Sequence, residues 1–180
     1  MKIVNNLAKF YKSLKDDEKL LRLLYYMPKD HLDDPLDESK LDISKLPEKD
    51  LIMNNILVIG DKTSDLKMDA NFSRICLYTG SRTPQKHYLK NTNQFTDNPY
   101  SSTQQYIFDI YTPHAINNVD FRLDWLGEVL NEVLFHEDIE EFGDLRFHSG
   151  IPILNTPEGF VGYRWIYIIP SGQGARGFKS

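Results

Sequence analysis

VDFRLDWLGEVLNEVLF, Val119–Phe135, is the stretch whose reading decides the fold. Val119, Leu123, Leu126, Leu130 and Val133 recur every three or four residues, which lays one apolar stripe along an α-helix. Asn117 or Asn118 is placed to cap its N-terminus. Asp120, Asp124, Glu128 and Glu132 repeat at four-residue spacing and make an acidic stripe, with Arg122 and Trp125 nearer its boundary. Carboxylates at that spacing repel one another. The stripe therefore reads as a solvated face, or as one turned to a channel or a basic partner.

Strand patterns lie on both sides of this helix. Arg74–Thr79 alternates, with Ile75 and Leu77 on one face and Arg74, Cys76 and Tyr78 on the other. Gln105–Tyr111 places Tyr106, Phe108 and Ile110 opposite Ile107, Asp109 and Tyr111. Leu145–His148 and Val161–Ile169 complete the set, the latter with Val161, Tyr163, Trp165, Tyr167 and Ile169 on one side and Arg164 on the other. These elements predict an α+β fold: a mixed, mostly antiparallel sheet packed against an amphipathic helix. Thr79–Pro84 reads as a turn, and the polar stretch Gln85–Thr103 as a long loop that contacts a partner or is disordered.

Residues 1–27 form an N-terminal helical segment. Leu7, Phe10, Tyr11 and Leu14, then Leu20, Leu21, Leu23 and Leu24, carry a helical spacing broken by Asp16, Asp17 and Glu18. Either one helix runs through with its acids in water, or two short helices meet there, the second capped at Asp16 or Asp17. The second arrangement is favoured because acids suit the first turn of a helix. Pro28 halts the pattern. Residues 28–50 make an acidic, breaker-rich linker, read as a mobile loop whose scattered leucines pin parts of it to the core. Leu51–Gly60 suits a short helix or strand. The αβ core spans 51–170, and Gly-rich 171–180 reads as a flexible tail that orders on a partner.

A chain of 180 residues with this apolar content makes a single domain, 1–180. Its net charge of −5 argues against a protein whose main task is gripping nucleic acid. The lone Cys76 gives no internal disulfide and no cysteine metal site. Nowhere do about 18 apolar residues run together, so the expectation is a soluble protein of a reducing compartment, with no membrane partner.

Catalytic constellations are not evident. His31, His87, His114, His136 and His148 are scattered, and none pairs at the spacing of a zinc helix. His136 and His148 flank Glu137, Asp138, Glu140, Glu141 and Asp144, which reads as a solvated acidic loop rather than a metal site. Gly80, Gly127, Gly143, Gly150 and Gly159 do not assemble into a phosphate loop, and no Gly-x-Ser-x-Gly elbow occurs. Arg74, Arg82, Arg122, Arg146 and Arg164 lie in or beside structural elements, where ion pairs are a commoner fate than catalysis. No catalytic, cofactor-binding or metal residue is therefore assigned, and no cofactor is expected.

The order of LLRLLYY (Leu20–Tyr26), DPL (Asp34–Leu36), SRICLYTGSR (Ser73–Arg82), YIFDIY (Tyr106–Tyr111), VDFRLDWL (Val119–Leu126) and GYRWIY (Gly162–Tyr167) resembles the small neck proteins of tailed bacteriophages. It is most similar to tail terminator, or tail-to-head joining, proteins. The resemblance implies a homo-oligomeric ring, usually a hexamer, that terminates the tail tube and joins it to the head-side connector or stopper. DNA would pass through the lumen without specific binding, which an acidic chain suits. It implies a structural protein of the virion, made in the host cytoplasm, with no catalytic residue. A head-completion adaptor or stopper between portal and tail is the nearest alternative. A small-ligand-binding or hydrolytic αβ domain is the alternative from another class, and a deep pocket with convergent polar groups would mark it.

Overall fold

Alternating apolar residues in the second half make strands that pair into one sheet. The computed structural model describes residues 3–47, 49–53, 56–58, 71–89, 94–136 and 145–172. Its helices are α1 (Ile3–Asp16), α2 (Glu18–Tyr25), α3 (Lys49–Met53), α4 (His114–Asp120) and α5 (Arg122–His136). Its strands are β1 (Ile56–Val58), β2 (Arg74–Leu89), β3 (Gln94–Pro113), β4 (Arg146–Pro152) and β5 (Phe160–Gly172). The five strands lie in the order β1-β2-β3-β5-β4. Among the described residues only the β1–β2 pair is parallel; the others are antiparallel. The fold is the α+β arrangement expected, with the N-terminal helical segment on the same face as α5.

Strand alternation decides which side chains meet the helices. Ile75 and Leu77 of β2, Tyr106, Phe108 and Ile110 of β3, and Tyr167 and Ile169 of β5 are buried in one cluster. Phe10 and Leu14 of α1, the leucines of α2, and Leu126, Val129, Leu130, Val133 and Leu134 of α5 complete it. Phe10 meets Tyr106 and Phe108 edge-on at centroid distances of 5.1 and 5.6 Å. Such pairs add about 0.5–1.5 kcal/mol each beyond the area they bury. The two-helix reading of the N-terminus holds: Asp17 caps α2, its carboxylate accepting from the Leu20 amide at 2.7 Å.

The helix at 119–135 is not continuous. Phe121 adopts the left-handed conformation (φ 54°, ψ 42°) and ends α4, and α5 starts afresh at Arg122. A left-handed non-glycine residue costs about 1–2 kcal/mol, offset here by two caps. The Phe121 amide donates to the Asn117 carbonyl, and the Asn117 side chain accepts from the Leu123 amide at 2.9 Å. The expected cap residue is thus right, but it caps a helix that begins at Arg122. The acidic stripe is shortened accordingly. Asp120 belongs to α4 and is buried, while Asp124, Glu128 and Glu132 remain exposed on α5.

Thr79–Pro84 is strand, not turn, and Gln85–Thr103 is not a loop: β2 and β3 pair from Arg74↔Tyr111 out to Leu89↔Gln94. Register shifts between Thr79 and Arg82 and between Pro84 and Lys86 take Gly80, Ser81 and Gln85 out of the ladder. Pro84 is tolerated because β1 pairs only with Ile75–Leu77, leaving the outer edge of β2 beyond them without a partner among the described residues.

The linker is also ordered against the helices. Asp30, Asp34 and Asp37 each accept from the amide two residues on, at 2.8, 2.8 and 2.7 Å, so successive Asx turns shape it. Ile43 is fully buried, Arg22 donates to the Asp37 carbonyl at 2.7 Å, and Lys40 pairs with Asp33 at 2.6 Å. Its aspartates therefore build turns rather than solvate a mobile loop. Leu51–Gly60 supplies parts of both α3 and β1.

Candidate interaction surfaces

On the sheet face opposite the helices, the central strands carry a charged group at matched register. Asp109 of β3 pairs across with Arg164 of β5 and Cys76 of β2. Its side chain is 1% exposed, and Arg164 grips it in a fork, Nε to Oδ1 at 2.7 Å and Nη2 to Oδ2 at 2.8 Å. The Tyr78 hydroxyl donates to Asp109 Oδ2 at 2.7 Å and accepts from Arg164 Nη2 at 2.8 Å. Burial first, and then the bond to Asp109, push the Tyr78 hydroxyl well above its ordinary value; the bond to Asp109 likewise raises Arg164. The triad latches three strands and leaves Arg164 partly exposed as a cationic spot on this face.

Cys76 sits beside this latch, buried against Tyr111 and Phe160. Burial, and secondly the charge of Asp109, push its thiol up to about 12, so no thiolate nucleophile forms near neutral pH.

The β2–β3 ribbon is a second surface. Among the described residues β3 is flanked by β5 only from Ser101 onward, so the pairs from Lys86↔Asp97 to Leu89↔Gln94 stand there as a two-stranded arm. Gln104 braces its base: nearly buried, it donates to the carbonyls of Gly80 at 3.0 Å and Gln105 at 2.9 Å, satisfying groups that the bulge takes out of the ladder. A Cβ on Gly80 would lie 2.8 Å from Ile107 Cδ1, so the bulge tolerates little side-chain volume there. Ser81, Arg82, Thr83 and Pro84 are exposed at the base of the arm and Lys86 where it begins. At the far side of the sheet β4 is an edge strand with Phe147 and Ile151 half exposed.

The third feature is internal. Arg122, the first residue of α5, is buried at 1% exposure rather than lying near the boundary of a solvated acidic stripe. Its guanidinium bonds Asp120 Oδ2 from Nε at 2.8 Å and Nη2 at 2.5 Å, and donates to the carbonyls of Leu23 and, at 2.8 Å, of Tyr26. It thereby satisfies carbonyls at the C-terminus of α2, where a cation also suits the helix dipole.

The scattered histidines do not converge among the described residues. His31 Nδ1 lies 2.6 Å from the Val119 carbonyl, and the His114 amide donates to Gly159 O. His148 is exposed on β4, whereas Glu137, Asp138, Glu140, Glu141 and Asp144 lie outside the described residues. No group of three or more His, Cys, Asp or Glu among the described residues is placed to hold a metal ion. Arg82 donates to Ser102 Oγ at 2.7 Å, Arg74 and Arg146 stay on their strands, and residues 173–180 lie outside the described residues. Among the described residues no helix is long and apolar enough to cross a membrane. The Asp109 latch and the Arg122 clamp were missed by sequence reasoning. The signal for the first was an aspartate and an arginine inside the apolar runs Tyr106–Tyr111 and Val161–Ile169, where charges are depleted.

The model of the YomW protein family matches residues 17–169, from the cap of α2 into β5. The chain belongs to the YomW family. It is 28% identical over 172 residues to the SPbeta prophage-derived uncharacterized protein YomW of Bacillus subtilis (strain 168), covering 91% of this chain and 94% of that relative. The prophage origin of this YomW relative agrees with the bacteriophage origin expected from the sequence. The family match takes in all three residues of the latch, the arm and the Arg122 clamp, while the whole of α1 precedes it.

Proposed function

We propose that this YomW-family protein is a structural component of the phage neck, a ring that terminates the tail tube and joins it to the head-side connector. The observation that carries this reading is the long β2–β3 arm, standing out from the sheet with an outer edge that has no partner among the described residues. An exposed edge is a template for pairing with another chain. The β4 edge lies at the opposite side of the sheet, so arm-to-edge pairing between copies would be head-to-tail, the contact type that closes into rings. The polar groups characterised above are absorbed by internal latches, which fits an assembly role better than a catalytic one. Exposed Asp124 and Glu128, beside a Glu132 bonded to Lys19, and the net charge of −5 suit a lumen through which DNA slides. A head-completion adaptor or stopper would use the same surfaces and is distinguished by its partner.

Light scattering and negative-stain microscopy of the purified protein, alone and with purified tail tubes, test the reading. Rings that cap tubes are expected. A chain that stays monomeric with tubes and with connectors would overturn it, and rings that bind portals but ignore tubes would transfer it to the adaptor.

A further inference from the structure

A connected row of aromatic rings runs beneath one flank of α5 and out to the edge of the sheet. Phe135 meets Tyr167 at a centroid distance of 5.9 Å, Tyr167 meets Phe147 at 5.7 Å, Phe147 meets Trp165 at 5.6 Å and Trp165 meets Tyr163 at 5.5 Å. Gly127 and Asn131 of α5 cover Trp165 and Tyr167, but Phe147 on edge strand β4 is 46% exposed and Phe135 36%. Contiguous rings left in water mark an interaction surface. Asp124, Glu128, Asn131 and Phe135 follow one another at three or four residues, so both carboxylates rim the same flank. Both are exposed, and neither has a side-chain partner among the described residues.

We propose that this row receives the outer edge of β2, Thr79–Lys86, from a second copy of this chain, with Pro84 against Phe147 and with Arg82 and Lys86 toward Asp124 and Glu128. Charge, face and direction choose that occupant. Thr79–Lys86 contains Arg82, Lys86 and no acid. Among the described residues Lys86 has no partner, and Arg82 is held only through Nε, by Ser102 Oγ at 2.7 Å. The segment therefore complements the acidic rim. Register puts the contact groups on one face. Arg82 and Pro84 pair across with Gln104 and Ser102, which alternate with buried Tyr106, and Phe147 pairs with buried Tyr167. Strands β2, β3, β5 and β4 are successively antiparallel, so a copy added beside β4 with its helices on the same side presents β2 antiparallel to it. Pro84 has no N–H to donate, so side chains rather than a strand ladder carry the contact there. With α5 toward the bore, the rim lies where subunit boundary and lumen meet, and the same carboxylates border both. The inference deepens the ring reading by naming both surfaces of its head-to-tail contact, and rests on that reading for closure.

Charge reversal in the full chain tests it, with rings read by sedimentation velocity, alone and on tail tubes. Asp124→Lys with Glu128→Lys is expected to weaken assembly about ten-fold or more while melting with the parent, since both sites are exposed. Adding Arg82→Glu and Lys86→Glu to the same chain should restore the rings. Rings undiminished by the first pair, or a four-fold variant no better than the first pair, end the docking and keep the ring. A parent that makes no rings, alone or on tubes, ends the ring reading instead. The docking is then read by anisotropy with a fluorescein-labelled peptide of residues 79–89. Saturable binding that Asp124→Lys with Glu128→Lys weakens about ten-fold or more keeps the docking. No binding, or binding equal to that of the same residues in scrambled order, overturns it.

Discussion

A Cβ placed on Gly127 would stand 2.1 Å from Cζ2 of Trp165. That distance is far inside van der Waals contact, so the indole of β5 lies directly on the backbone of α5. Glycine in a helix interior costs about 1 kcal/mol relative to alanine; close helix-to-sheet packing offsets it here. Gly127→Ala is therefore expected to destabilise by about 1–3 kcal/mol through overpacking, despite its better helix propensity. Urea unfolding followed by tryptophan fluorescence measures it, and a Gly127→Ala variant more stable than the parent would show that Trp165 yields freely.

Arg122 should be among the costliest side chains to replace. Arg122→Met leaves Asp120 charged and buried and strips the guanidinium from the carbonyls of Leu23 and Tyr26. Removing one partner of a buried pair costs about 3–5 kcal/mol. Arg122→Lys should recover only part, because an ammonium lacks the fork that reaches three groups at once. Denaturant midpoints that place the lysine variant level with the parent would reduce Arg122 to a point charge.

Alternation made the sheet faces legible: Ile75 and Leu77, and Tyr106, Phe108 and Ile110, all lie where their period places them. The cap at Asp17 was legible because a side chain three residues before an amide is a local event. What escaped was non-local. Gly80, Ser81 and Pro84 read as a turn because the propensities of single residues cannot show that Gln104, far along the chain, supports a bulge there. The break at Phe121 escaped for the same reason, since an unbroken apolar period hid a left-handed residue held by Asn117 from both sides. Asp120, counted as solvated by spacing, is drawn inward by Arg122.

The orientation of α5 gives a paired test. Leu126 is fully buried between the helix and the sheet, and Glu128 is exposed. Leu126→Asp should prevent folding, because an unpaired buried carboxylate costs several kcal/mol. Glu128→Lys should stay within about 0.5 kcal/mol of the parent. Circular dichroism melts compare them, and equal stability of the two variants would reverse the helix face.

Alkaline pH should weaken the fold through Cys76 before any tyrosine takes part. Its thiol, ordinarily near 9.0, is pushed up to about 12 in the folded chain, first by burial and then by Asp109. The native state thus keeps a proton that the unfolded chain releases near pH 9, so the stabilisation is complete below that pH and is lost as pH rises toward 12. One such group gives a slope of at most about 1.4 kcal/mol per pH unit. Tyr78 and Tyr167 are raised in the same direction, but their ordinary value of 10.0 makes their contribution begin later. Tyr106 is raised too, so it is between pH 8 and 9, before the tyrosines of the unfolded chain ionise appreciably, that the slope belongs largely to the thiol. Cys76→Ala lowers stability at every pH by removing a buried sulfur beside Tyr111 and Phe160, yet it should flatten the decline in that window. Urea midpoints measured from pH 8 to 9 decide it: a variant that declines as steeply as the parent would show that Cys76 does not carry the alkaline loss.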